Sequence, residues 1–256
     1  MRVDTHVHST FSIDGKATLE DMVESAIGKG FDAICFTEHF DLNPLDSGTG
    51  FFDYEAWSRA IEKARERYAG RIEILKGLEF SEPHRYPAAL ERFGRMDFDF
   101  ILGSVHWIGD DWIGDPDYVR RTPLEDIYAR HYEETLAACR SGGFDALAHA
   151  DFPKRYLKDK VEPRADLLAD MMATLVAKGI ALELNSSPLR KGYSERYPSD
   201  LIIGAYLAAG GRAVTFGSDA HAPGDLGADF DRLDPPAACE PCFFRGRKRV
   251  ATGGAA

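Results

Sequence analysis

Along the chain, short apolar runs alternate with longer segments whose apolar positions recur at helical spacing, and the pair repeats seven times. The apolar runs predict strands at Arg2 to His8, Asp32 to Thr37, Ile72 to Phe80, Phe98 to His106, Phe144 to Ala148, Ile180 to Asn185 and Ala213 to Ser218. The intervening segments predict helices over Thr18 to Lys29, Tyr54 to Tyr68, Ala88 to Arg95, Leu124 to Arg140, Ala165 to Lys178 and Ser199 to Ala209, with a weaker one after His221. Gly30, Gly70, Gly143, Gly179 and Gly210-Gly211 fall where a helix should stop, as suits a residue that accepts a left-handed C-cap. Longer loops are expected at Pro44 to Gly50 and Gly109 to Pro123. Strand and helix in steady succession predict an α/β fold with a parallel sheet or barrel. The 256 residues suit one domain spanning 1–256, because (β/α) barrels of this length form single units.

Six of the eight histidines sit in short clusters with acids: Asp4-Thr5-His6-Val7-His8, Thr37-Glu38-His39, Ser104-Val105-His106, Ala148-His149-Ala150-Asp151 and Gly217-Ser218-Asp219-Ala220-His221, joined by Gly77-Leu78-Glu79. On the predicted framework every cluster falls at the C-terminal end of a strand. In a (β/α) barrel those ends meet on the face that carries the active site. In His6-x-His8 and Asp219-x-His221 the residues are two apart, so an extended chain aims both to one side. Imidazole and carboxylate together are ligands for divalent metals. His84, beside Pro83, and His131, inside a polar-faced helix, lack the strand-end position and read as ordinary residues.

The formal charge of −11 and the absence of a basic stripe argue against nucleic-acid and anionic-membrane partners. Only Arg245-Gly246-Arg247-Lys248-Arg249 is locally basic, and it reads as a solvated surface strand. The N-terminus shows no basic lead followed by an apolar core, and no apolar run approaches the ~18 residues of a membrane span, so a cytoplasmic protein is expected. Cys35 and Cys139 read as small buried thiols, while Cys239-Glu240-Pro241-Cys242 lacks the second pair that structural zinc would need. Oligomeric state is not legible.

The ordered motifs around Asp4 to His8, Thr37 to His39, His106 through His149, and Gly217 to His221 resemble those of the polymerase and histidinol phosphatase (PHP) superfamily of metal-dependent phosphoesterases. The resemblance covers nearly the whole chain. It implies a distorted seven-stranded (β/α) barrel, TIM-like in its architecture, holding up to three divalent metal ions, Zn, Mn or Fe. By that resemblance His6, His8, Glu79 and Asp219 would hold one metal, and Glu79, His106 and His149 a second, with Glu79 bridging. Asp14, His39 and His221 would hold a third; relatives can carry histidine where this chain has Asp14.

Within the superfamily, Asp151-Phe152-Pro153-Lys154-Arg155-Tyr156 and Asn185-Ser186-Ser187-Pro188-Leu189-Arg190-Lys191 look like segments of the histidinol-phosphate phosphatases of histidine biosynthesis, in which arginines grip the phosphate. Arg155 and Arg190 are thereby expected to bind substrate, since a guanidinium matches phosphate oxygens in a bidentate way. The implied substrate is a small phosphate monoester, L-histidinol phosphate. The implied chemistry is in-line attack on phosphorus by a hydroxide bridging two metals. Asp219 and His221 would serve catalysis as well as metal binding, and Asp151, His221 or a metal-bound water would protonate the leaving alcohol. Glu38, Phe40, Glu82 and Tyr156 are candidates for recognising its amine and imidazole. Competing readings are a phosphodiesterase or exonuclease acting on nucleotides, and a non-catalytic metal-binding module. One departure stands out: Ala222 to Arg249 lacks the long amphipathic helix expected before a final strand such as Cys242 to Arg245.

Overall fold

The structure is a computed structural model that describes residues 1–157 and 159–253. Its first half runs β1 (Val3–Val7), α1 (Leu19–Gly28), β2 (Ala33–Phe40), α2 (Tyr54–Arg67), β3 (Glu73–Ser81), α3 (Pro87–Gly94) and β4 (Phe100–Ser104). A small hairpin, β5 (Trp107–Ile108) and β6 (Asp111–Trp112), then leads through α4 (Pro116–Arg121) to α5 (Leu124–Ser141) and β7 (Ala146–Leu147). The second half continues with α6 (Ala165–Lys178), β8 (Ala181–Asn185), the single turn α7 (Ser187–Arg190), α8 (Asp200–Ala208), β9 (Ala213–Gly217), β10 (Glu240–Arg245) and β11 (Lys248–Ala251). Local chemistry starts and stops these elements. The Thr18 hydroxyl accepts from the Asp21 amide at 3.1 Å while the Asp21 carboxylate accepts from the Thr18 amide at 3.2 Å, a reciprocal cap that begins α1. Gly179, at φ +68°, closes α6 in the left-handed conformation that costs glycine little.

All seven predicted strands form, mostly trimmed by a residue or two. They lie parallel in the order β1-β2-β3-β4-β7-β8-β9. The expected seven-stranded barrel needs correction in its count: β10 pairs in parallel with β9, β11 pairs antiparallel with β10, and the sheet has nine strands. The first strand meets the segment just after the seventh through an isolated parallel bridge, Val7 to Ala220, rather than a ladder. The Thr5 hydroxyl also donates to the Phe216 carbonyl at 2.9 Å. After His221 only a short 3₁₀ turn, Phe230–Arg232, stands where a weak helix was expected. The loop expected from Gly109 to Pro123 instead contains β6 and α4. No described helix is long and apolar enough to cross a membrane.

Strand alternation divides each strand between two layers. One face packs against the helices in the larger core, with Ile34 and Phe36 of β2 and Leu78 and Phe80 of β3 meeting Trp57 and Ile61 of α2. The opposite face is apolar at the strands' N-terminal halves, where Cys35, Leu75, Phe100, Leu102, Ala181 and Ala213 form a second core. The same alternation carries Leu75 on to Glu79, and Ala181 on to Glu183, so this face turns polar toward the C-terminal ends.

The β10–β11 hairpin supplies what the missing helix would have. Cys242, Phe243 and Phe244 are buried in the second core, and the Phe244 ring stacks on Phe100 of β4 at 5.3 Å. The basic run is not simply a solvated surface strand. Arg245 makes a two-pronged contact to Glu73 at 2.6 and 2.7 Å, Arg247 pairs with Asp145, and the Gly246 amide donates to Asp99 at 2.9 Å. Glu73, Asp99 and Asp145 mark the N-terminal ends of β3, β4 and β7, so the hairpin closes the end of the sheet remote from the histidines. No disulfide links the four cysteines.

Candidate metal centre

At the C-terminal end of the sheet, two glycines let the strands carrying the cluster approach. A Cβ on Gly77 would lie 2.6 Å from the Thr37 side chain and 2.7 Å from Cys35 Sγ, so only glycine lets β3 sit this close to β2. In that register His39 lies directly beside Glu79. A Cβ on Gly217 would lie 2.2 Å from a Glu183 oxygen and 2.6 Å from His6 Cβ, which opens β9 to both side chains.

Glu79, fully buried, is the hub, and its two oxygens face different imidazoles. Oε2 lies 2.9 Å from His39 Nδ1, 3.3 Å from His6 Nε2 and 3.5 Å from His8 Nε2. Oε1 lies 3.0 Å from His149 Nε2 and 3.4 Å from His106 Nε2. Asp219 turns Oδ1 toward His221, His8 and His6 at 3.6, 3.7 and 3.9 Å, while its Oδ2 accepts from Arg155 at 2.8 Å. Its backbone sits at φ +53°, a conformation that costs a non-glycine residue energy and that clusters at functional sites. Asp14, half exposed, lies 3.0 Å from His221 Nε2 and 3.5 Å from His39 Nε2. The His8 ring stacks between His39 and His221, 4.2 Å from each.

Burial opposes ionisation of Glu79, yet the imidazoles of His39 and His6 and hydrogen bonds from His106 and His149 hold it well below the carboxylate range. Asp219 is likewise held low against burial, by Arg155 first and then by His6 and His221. Burial also opposes protonation of His39, but Glu79 overcomes it and pushes the imidazole up to about 10. Burial, reinforced by His221 and His39, drives His8 the other way, well below the usual imidazole range.

Three overlapping donor groups lie within reach of a shared cation: His6-His8-Glu79, Glu79-His106-His149 and His8-His39-His221. Among the described residues, His8 Nε2 is buried without a hydrogen-bond partner although it points at this cluster. An aligned, neutral imidazole nitrogen beside ionised carboxylates is the donor arrangement a divalent ion takes. The set differs in detail from the expected one, because His8 faces two of the groups and Asp14 and Asp219 stand at their edge.

Supporting contacts fix the donors' orientation. Glu183, which sequence reasoning missed, is wholly buried; it lies 2.6 Å from His6 Nδ1 and accepts from the His149 amide at 2.8 Å. Its only signal is an acid in the middle of the apolar strand Ala181–Asn185. Glu183→Gln is expected to lower metal affinity about 10- to 100-fold while the fold persists, as outer-shell losses do; titration with Zn²⁺ against a competing chelator reads this, and unchanged affinity would refute it. Ser12 lies 3.1 Å from His8 Nδ1 and donates to Glu38 at 2.6 Å, and Ser81 lies 3.2 Å from His106 Nδ1 and donates to Asp41 at 2.6 Å.

Three expectations need correction. Arg190 does not border the cavity: it donates to the Ser218 carbonyl and, at 2.7 Å, to that of Asp219, so it braces the strained turn that presents Asp219. Asp151 is buried outside the cavity, 2.8 Å from Lys154 Nζ and accepting from the Ser199 amide at 2.9 Å, so it is not placed to protonate a leaving group there. Of the recognition candidates, Glu38 is engaged by Ser9 and Ser12, Glu82 by the His106 and Trp107 amides, and Phe40 by Phe93; Tyr156 alone of the four lines the cavity. His84 pairs with Glu134 at 2.5 Å. His131 is buried rather than on a polar face, 3.3 Å from the Val105 carbonyl and pushed down to about 3 by burial. The cavity over the cluster measures about 340 Å³, and Arg155, Phe152, Tyr156, Trp107, Trp112 and Asp46 share its walls with the histidines.

A model of the PHP domain matches residues 4–187. The chain is 28% identical to a probable histidinol-phosphatase of Deinococcus radiodurans, over 89% of each protein. It is 29% identical to a probable histidinol-phosphatase of Thermotoga maritima, over 90% of this chain and 89% of that one. Among solved structures, the histidinol phosphate phosphatase of Lactococcus lactis, complexed with zinc, L-histidinol and phosphate, superposes with a TM-score of 0.86 at 25% identity, covering 97% of this chain and 98% of that one.

Proposed function

The chain belongs to the PHP domain family, and from that membership we propose that it is a metal-dependent phosphomonoesterase that hydrolyses L-histidinol phosphate to histidinol and inorganic phosphate. The observation that carries this reading is Glu79, whose two oxygens serve separate imidazole groups in one cavity bordered by Arg155. The likeness to relatives named for this activity supports the choice of substrate. We read residues 1–256 as one domain and the curled parallel run as a distorted barrel; the Val7–Ala220 bridge supports the latter.

His6, His8 and Glu79 would hold one cation, with Asp219 beside it, Glu79, His106 and His149 a second, and His39 and His221 a third, with Asp14 at its edge. When bound, such ions lower the pKa of water and neutralise charge on the phosphoryl group. The chain's own residues do the rest. Glu79 fixes the spacing of the two donor groups. Arg155 gives one N–H to Asp219 and leaves other donors on the cavity wall, where a guanidinium fork suits phosphate oxygens. With Arg190 engaged behind Asp219, Arg155 is the guanidinium that contacts phosphate. His221, on the cavity wall, would act as a ligand of the third group, its Nδ1 turned to the Asp219 carbonyl at 3.0 Å.

The test is release of phosphate from L-histidinol phosphate by protein loaded with Zn²⁺ or Mn²⁺, repeated after chelation and with Arg155→Ala. Chelation is expected to abolish turnover, and Arg155→Ala to lower kcat/KM about 100-fold, the size of a lost charge-assisted contact. Full activity after complete metal removal would overturn the mechanism. Hydrolysis of nucleotide diesters in preference to the monoester would overturn the substrate.

A further inference from the structure

The cavity has two chemically different ends. Its floor carries the imidazoles and carboxylates with Arg155, which suit a phosphate. Its mouth is formed by the loop after β2, the β5–β6 hairpin and the segment after β7, which contribute Leu45 and Asp46, Trp107 and Trp112, and Tyr156. The mouth is built rather than incidental. The Trp107 indole N–H donates to Asp46 Oδ2 at 2.7 Å, and the Gly48 amide donates to Asp46 Oδ1 at 2.7 Å, so both carboxylate oxygens are fixed. The Asp46 loop is itself pinned, because a Cβ at Gly48 would lie 2.6 Å from an Asp41 oxygen. Each Asp46 oxygen keeps a further lone pair, since a carboxylate accepts about four hydrogen bonds. Trp112 and Tyr156 meet edge to face at 5.5 Å, yet remain 38% and 39% exposed at the opening.

The geometry points to Asp46 as a specificity-determining residue that binds the cationic nitrogen of the substrate alcohol, with Trp112 and Tyr156 packing against its planar ring. This assignment rests on the phosphomonoesterase reading above and extends it from the phosphate to the alcohol. A fixed anion at the cavity mouth opposite a phosphate site selects a monoester that carries positive charge on its alcohol. Apolar ring faces left open beside it favour a flat group. Of the acids on the cavity walls, Asp14, Glu79 and Asp219 face imidazoles and Asp41 accepts from Ser81, whereas Asp46 is braced only by neutral donors.

The experiment measures kcat/KM of the metal-loaded full chain, wild type and Asp46→Asn, for three monoesters: L-histidinol phosphate, O-phosphoethanolamine and p-nitrophenyl phosphate. The amide is nearly isosteric and its oxygen can still accept from Trp107, but its nitrogen cannot accept from the Gly48 amide, so the readout must be one that a general loss from a shifted loop leaves unchanged. The readout is the preference for each cationic ester over the neutral aryl ester, which cancels any general loss of activity. Asp46→Asn is expected to lower that preference about 10- to 100-fold, mostly through KM, as loss of a charged hydrogen-bond partner does. A preference that is unchanged, because both ester classes fall together or neither falls, overturns the assignment. Wild-type protein that cleaves phosphoethanolamine but not histidinol phosphate would sink the substrate reading alone. The Asp46 assignment would then still stand or fall on the phosphoethanolamine to p-nitrophenyl phosphate ratio.

Discussion

Glu79→Ala is expected to lower phosphomonoester hydrolysis at least about a thousandfold, equivalent to about 4 kcal/mol of lost barrier reduction. It should also remove more than one metal ion per chain. The reason is geometric: Oε2 faces His6, His8 and His39 while Oε1 faces His106 and His149, so Glu79 joins the His6–His8 group to the His106–His149 group. A change at His106 touches one group only and should cost less metal. Glu79→Gln sharpens the comparison, because it keeps the shape but replaces one acceptor oxygen with a donor. Elemental analysis alongside activity distinguishes these outcomes; metal content equal to that of the unaltered protein would refute the shared role. The proton balance has a definite sign as well. In the metal-free chain Glu79 keeps His39 protonated up to about 10, and a ligand imidazole must be neutral, so cation binding at pH 7 displaces protons. Apparent affinity should therefore rise with pH, and Glu79→Ala should weaken that dependence.

The strand-end histidines were legible because two periodicities coincide. A period of two along each strand and the shared C-terminal position are both written locally, and together they bring His6 and His221 to the same Asp219 carboxylate across most of the chain. What resisted reading depends on facing and register. Glu183 meets His6 across a separation of 177 residues, and nothing near it distinguishes a buried orienting acid from a chance one. Arg190 follows its strand as Arg155 does, yet the single turn α7 aims it at carbonyls behind Asp219 instead of into the cavity. The β5–β6 hairpin is too short for alternation to declare itself, so the Trp107–Asp46 contact was invisible in the sequence. The basic run at 245–249 is largely exposed, as its composition suggests, but its pairing was not legible for a related reason. Its counter-charges, Glu73, Asp99 and Asp145, are distributed over three strands that only the folded sheet brings together.

Phe243→Ala is expected to destabilise the fold by about 3–5 kcal/mol, the usual cost of emptying a buried phenylalanine site. In a chain of this size that lowers the melting temperature by roughly 10 °C. The argument starts from what lies beneath the ring. The inner face of the sheet near the strands' N-terminal ends is lined by small side chains, Ala33, Ala146, Ala181 and Ala213, which leave a space they cannot fill themselves. Phe243, wholly buried, and Phe244 enter that space from the hairpin, and the neighbouring alanines are too short to collapse into a void left by truncation. Lys248→Ala, on the exposed side of β11, should by contrast stay within about 0.5 kcal/mol. Because the hairpin closes the end of the sheet remote from Glu79, Phe243→Ala protein well below its melting temperature should keep its full metal content. A melting temperature within a degree of the parent would mean that the hairpin is an appendage. Loss of metal from the still-folded variant would mean that the two ends of the sheet are coupled more tightly than their separate cores imply.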